Sequence, residues 1–175
     1  MERNLKMSMA LNAGEILTIA EEIERKGAQF YRMAAGQLGA DDMKATLDWL
    51  ADEEDKHQKT FADMRANLTI DGPLGGVWDP DGQCEKYLQA LADGKIFDLK
   101  VDPAAIVERL KTLKDVLEFA LSSEKDTIVF YMAVARKGSE HVDKEKIQGI
   151  LDEEIGHVAL ISEKLASLQA DNTSF

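Results

Sequence analysis

The tetrapeptide Glu-x-x-His occurs twice in this chain, as Glu54–His57 and as Glu154–His157, at an offset of 100 residues. Each copy follows the same acidic pair, Asp52-Glu53 in one case and Asp152-Glu153 in the other. The repeat extends upstream without a gap: Leu17, Ala20, Glu24, Phe30, Tyr31 and Ala35 recur as Leu117, Ala120, Glu124, Phe130, Tyr131 and Ala135. On a helix, residues three apart share a face, so each tetrapeptide can aim a carboxylate and an imidazole at one point. One such tetrapeptide arises easily by chance in an acidic helix. Two in register within a longer repeat do not, and they use two of the chain's three histidines.

Both halves read as pairs of long helices. Leu17, Ala20, Glu24, Gly27, Tyr31, Ala34 and Leu38 alternate steps of three and four, the seam of a packed helix. A second seam runs Leu47, Leu50, Glu54, His57, Phe61, Met64, Leu68, after a turn marked by Gly39 and Asp41. A third runs Leu117, Ala120, Glu124, Thr127, Tyr131, Val134 and ends at Gly138; a fourth, beginning around His141–Asp143, runs Ile147, Ile150, Glu154, His157, Ile161. Asn12 with Glu15, and Thr112 with Asp115, have the spacing of capping boxes, again 100 residues apart.

All three prolines lie between residues 71 and 103. Residues 71–82 are dense in turn formers, 83–92 can form a short helix, and 94–101 read as irregular. Asp102-Pro103 signals a new helix start, with a break expected near Thr112. The expectation is one all-α domain over 1–175, an antiparallel four-helix bundle. It comprises a helix pair at about 12–70, a crossover at 71–102 holding a short helix, and a second pair at about 103–170. Residues 1–11 read as a loose arm and 170–175 as a fraying end; Trp78 and Cys84 read as packing residues, and His141 as a turn residue without a role.

Net charge is −12, which argues against nucleic acid or an anionic membrane as partner. With one cysteine, no disulfide within the chain and no Cys-rich metal site can form. Neither a secretory signal core nor a long apolar run is present, so the expected location is the cytoplasm.

Each seam is interrupted midway by one glutamate, and the second and fourth add a histidine one turn later. Inside an apolar bundle, four carboxylates and two imidazoles are costly unless they are paired or bind metal. Two divalent cations would balance Glu24, Glu54, Glu124 and Glu154 with His57 and His157 as neutral ligands. Oxygen-rich sets with one imidazole per ion suit iron or manganese, with zinc possible. Glu53 and Glu153 lie four residues before the histidines and could accept their second ring N–H. Tyr31 and Tyr131, two turns beyond Glu24 and Glu124, could hydrogen-bond ligand carboxylates, relay an electron or simply pack.

Together these residues resemble the ferritin-like di-iron carboxylate proteins, most closely rubrerythrin-type members. The resemblance is carried by Glu24-x-x-Gly-x-x-Phe-Tyr31, Glu54-x-x-His57, Glu124 with Phe130-Tyr131, and Glu154-x-x-His157, over roughly 12–168. It implies a ferritin-like bundle in which Glu54 and Glu154 bridge two metals, Glu24 and Glu124 are terminal ligands, and each histidine binds one metal. Two departures stand out. The single cysteine excludes the rubredoxin-like Cys₄ domain, and Thr127 stands where rubrerythrins carry an extra glutamate; the remaining set looks more like that of bacterioferritin-type sites. The implied activity is oxidoreduction with peroxide or O₂, re-reduced by an external electron donor protein. The rivals are ferroxidation with iron storage or delivery, and a catalytically silent metal-binding protein. A homo-oligomer, a dimer first, is the expected assembly.

Overall fold

The computed structural model describes residues 12–38, 41–68, 82–92, 101–137 and 142–171. Six helices occur among them and no strand element: α1 (Ala13–Leu38), α2 (Asp41–Ala66), α3 (Gln83–Ala92), α4 (Pro103–Arg109), α5 (Leu113–Lys137) and α6 (Lys144–Asp171). Among the described residues, no helix is long and apolar enough to cross a membrane. The N-terminal arm, Gly39, most of the 71–82 segment including Trp78, the 94–100 stretch, Gly138 and His141 lie outside the described residues, as does the side chain of Cys84.

The helix starts follow from local chemistry. Asn12 Oδ1 accepts from the Glu15 amide at 2.7 Å, while Glu15 returns a carboxylate oxygen to the Asn12 amide at 2.9 Å. Thr112 and Asp115 repeat this reciprocal box at 2.9 and 3.1 Å. Asp102 caps α4 through the Ala104 amide at 2.9 Å, with Pro103 at the first helical position, where its missing N–H costs nothing. The break near Thr112 separates α4 from α5, so the crossover carries α3 and then α4. The sequence had joined 103–109 to the second helix pair; α4 instead packs on α1.

α1 packs along α2 and α5 along α6, with α1 against α5 and α2 against α6 closing the antiparallel bundle. The seams point inward. Leu17, Ala20, Leu47, Leu50, Leu117, Ala120, Ile147 and Ile161 are all buried. The apolar interior falls into two clusters. One gathers Ile16, Leu17, Phe61, Phe130 and Ile147 and is capped by Leu88 of α3. The other gathers Phe30, Leu47, Leu50, Leu117 and Ile161 and is capped by Val107 of α4. Between them runs a layer of buried polar side chains.

Candidate metal centre

That layer contains all six polar seam residues. Glu24 of α1, Glu54 and His57 of α2, Glu124 of α5, and Glu154 and His157 of α6 are at most 4% exposed. One ligand atom each from Glu24, Glu54, His57 and Glu154 lies within 4.8 Å of the others. The same holds for Glu54, Glu124, Glu154 and His157. Glu54 and Glu154 thus belong to both groups, while each histidine and each of the remaining glutamates belongs to one.

Both histidines turn Nδ1 inward. His57 Nδ1 lies 3.1 Å from Glu154 and 3.7 Å from Glu24. His157 Nδ1 lies 3.1 Å from Glu154, 3.7 Å from Glu54 and 3.9 Å from Glu124. The two rings stack with centroids 5.7 Å apart.

The tyrosines complete the layer by crossing between halves. The Tyr31 hydroxyl of α1 donates to Glu124 of α5, and the Tyr131 hydroxyl of α5 donates to Glu24 of α1. Each tyrosine therefore orients the carboxylate of the opposite half. The packing rings around them, Phe30, Phe61 and Phe130, lie in edge or tilted contact.

Around the histidines the two halves differ. His57 Nε2 meets Glu153 of α6 at 2.7 Å, an acceptor from across the bundle and not the Glu53 of its own helix. Glu53 is bound to Lys56 at 2.7 Å. The spacing offered Glu53 and Glu153 as possible acceptors for a second ring N–H; Glu153 reaches the histidine of the neighbouring helix because the flank of α6 faces α2. Beside His157 stands Trp49, whose ring meets the imidazole edge-on at 5.5 Å. The repeat could not flag Trp49, because its counterpart at 149 is glycine. Gly27 is a second residue whose role lies in packing: a Cβ there would stand 3.1 Å from Glu54 Oε2.

Electrostatics show what the layer lacks. Burial pushes the Glu24, Glu54 and Glu124 carboxyls well above the ordinary 4.5, helped by the other carboxylates nearby. Burial also pushes the Tyr31 hydroxyl up. For His57, burial pulls down, but Glu154, Glu54 and Glu153 outweigh it and raise the imidazole to about 9. For Glu154, burial pulls up, and His157 and His57 outweigh it, holding the carboxyl below its usual range. Within the layer, four buried atoms still have no hydrogen-bond partner among the described residues: Glu24 Oε2, Glu54 Oε1, His57 Nδ1 and Glu154 Oε1. At 3.1 Å, His57 Nδ1 and Glu154 Oε1 are close but misaligned for a hydrogen bond. These four atoms come from the four residues of one candidate group. Buried polar atoms without partners are rare, and hard-oxygen donors with one imidazole are what a divalent iron or manganese ion takes. The residues present fit such an ion.

No family model matches the sequence, and no curated protein does. A solved structure does match in three dimensions. It is a crystal structure of a Thermotoga maritima protein provisionally named a ferritin-like diiron-carboxylate protein. The two share 25% identity with a TM-score of 0.68, over 90% of this chain and 96% of that one. The fold is ferritin-like. In this ferritin-like bundle the buried Glu/His layer fits a di-iron site.

Proposed function

We propose that this chain is a carboxylate-bridged dinuclear metal protein, with iron in both positions, acting as a rubrerythrin-like oxidoreductase on hydrogen peroxide or O₂. The observation that carries the reading is the sharing of Glu54 and Glu154 between two overlapping ligand groups, each completed by one histidine and one further glutamate. Glu24 with His57 would serve one metal, and Glu124 with His157 the other. Four carboxylates against two divalent ions make a neutral centre, which removes the cost of burying four like charges.

When bound, two ferrous ions supply two electrons, the number needed to take peroxide to water. The protein's part is to hold and shield. Tyr31 and Tyr131 fix the terminal carboxylates by hydrogen bonds from opposite halves. Glu153 accepts from His57 Nε2, which holds Nδ1 free for the metal. The two apolar clusters above and below keep bulk water away from the layer. The lone cysteine cannot furnish a Cys₄ electron-transfer centre, so reduction falls to a separate donor protein, consistent with a reducing cytoplasm.

The test is elemental analysis of protein purified from its own host, followed by anaerobic mixing of the reduced protein with peroxide. Two irons per chain and stoichiometric peroxide loss are expected; fewer than two metals, or full metal with no peroxide loss, refutes the assignment. Glu54→Ala and Glu154→Ala should each lower occupancy at both positions, whereas His57→Ala and His157→Ala should each weaken mainly one.

A further inference from the structure

A cavity of about 370 Å³ opens beside the carboxylate layer, between α1, α4 and α5. Its outer walls are apolar: Ile23 and Phe30 from α1, Val101 and Ile106 from the crossover, and Phe119 from α5. Its inner end is formed by Gly27, Tyr31, Glu54, Glu124 and Thr127, so it reaches two candidate ligands and neither histidine. Gly27 keeps that end open, because any Cβ there would press against Glu54. Its counterpart in the repeat, Thr127, is buried and lines the same end. We propose that this cavity is a binding subsite for one uncharged, largely apolar organic molecule, seated against the Glu54–Glu124 edge of the centre. The proposal deepens the metal-centre reading and rests on it for the ligand's purpose.

The chemistry of the walls selects the class. Ligand pockets run from roughly 300 to 1,000 Å³ and are mainly apolar with a few polar groups, which this cavity satisfies at the small end. Water fills polar cavities where it finds several partners, and the outer walls here offer few. An anion would leave its hydration for mainly apolar walls whose one lining ammonium, Lys26, is already held by the Val101 carbonyl at 2.7 Å. A cation would shed its hydration among Phe30, Ile106 and Phe119. A neutral molecule with one hydroxyl remains. Its ring would lie between those side chains, and its hydroxyl would find Thr127 or the α5 serines Ser122 and Ser123.

The probe is 2-naphthol, with 2-naphthoate as its anionic counterpart, titrated calorimetrically into the full chain in chelator-treated and zinc-loaded forms. One saturable 2-naphthol site per chain is expected in both forms, with 2-naphthoate weaker by about tenfold or more. Ile106→Trp fills the cavity from α4 and changes no residue of the carboxylate layer, and should also weaken 2-naphthol about tenfold or more. Ser123→Phe fills it from α5 and stands in if the first variant does not fold, helicity being checked by circular dichroism. Absence of saturation, equal affinity for both probes, or undiminished binding in folded filling variants overturns the subsite. Metal content on the same samples separates the two readings: two metals without 2-naphthol binding sinks the subsite alone, while 2-naphthol binding without metal uptake sinks the metal centre and leaves the subsite standing.

Discussion

Replacing Tyr131 by phenylalanine removes one hydroxyl from a place water does not reach. Tyr131 and Glu24 are both 0% exposed, and the hydroxyl donates to Glu24 Oε1. The other oxygen of Glu24 has no hydrogen-bond partner, and the nearest imidazole nitrogen stands 3.7 Å away. Phenylalanine keeps the ring and its contact with Phe61 at 4.9 Å, so packing changes little. The loss is therefore almost wholly electrostatic: a buried carboxylate oxygen without its donor. Such an orphan costs about 1–3 kcal/mol, and we expect about 2 kcal/mol in the metal-free protein. For a chain of this size that lowers Tm by about 4–8 °C. Tyr31→Phe should cost a similar amount through Glu124. If Glu24 and Glu124 are metal ligands, loading zinc supplies a cation in place of the lost donor, and the penalty should fall by about half or more. Urea unfolding of chelator-treated and zinc-loaded samples measures all four values. A metal-free penalty below about 0.5 kcal/mol for both variants would refute the reasoning, because changes of that size are typical of sites without a special role.

Three further outcomes follow from the same geometry. The metal-free protein should lose stability as pH rises from 4.5 toward about 9: carboxyls held above their ordinary value at Glu24, Glu54 and Glu124, and an imidazole raised to about 9 at His57, contribute stability that is complete below the unfolded values and lost above them. Glu154 runs the other way, its contribution lost only as pH falls below the ordinary carboxylate range, and calorimetry in chelator that showed Tm climbing with pH would contradict the burial of the layer. Gly27→Ala should hold or gain stability, since alanine is favoured in a helix by about 1 kcal/mol, yet weaken metal binding because Glu54 must shift by a few tenths of an ångström; a chelator competition showing unchanged affinity would argue that Glu54 is not a ligand. Glu153→Ala should lower metal affinity about tenfold, the small end for outer partners because Glu153 is 59% exposed, while Glu53→Ala should not; equal effects would remove the asymmetry between the two histidines.

Features that depend on spacing along one helix were legible from the residues alone. Inward phase follows from steps of three and four, so all six candidate ligands and both tyrosines were legible as residues of a buried stripe. The capping boxes at Asn12 and Thr112 were legible too, because they close within one turn. The repeat was readable because the interior constrains it. The candidate ligands and both tyrosines are identical in the two halves, and most other buried positions stay apolar (Leu47 and Ile147, Phe61 and Ile161), whereas the surface drifts: Arg32 pairs with Asp52 and Asp55 in one half, while Met132 and Ile155 stand exposed at the matching places in the other.

Tertiary structure decided whatever requires two helices at once. Only the crossing of α1 and α5 gives Tyr31 to Glu124 and Tyr131 to Glu24, a pairing more than ninety residues apart in the chain. Only the closeness of α2 and α6 gives His57 to Glu153, a pairing that spacing within one helix cannot specify. Trp49 beside His157, Gly27 against Glu54, and the cavity under α4 likewise depend on where separate helices meet. Helical period fixes which face a side chain occupies; the distance and angle between helices fix which neighbour it finds there.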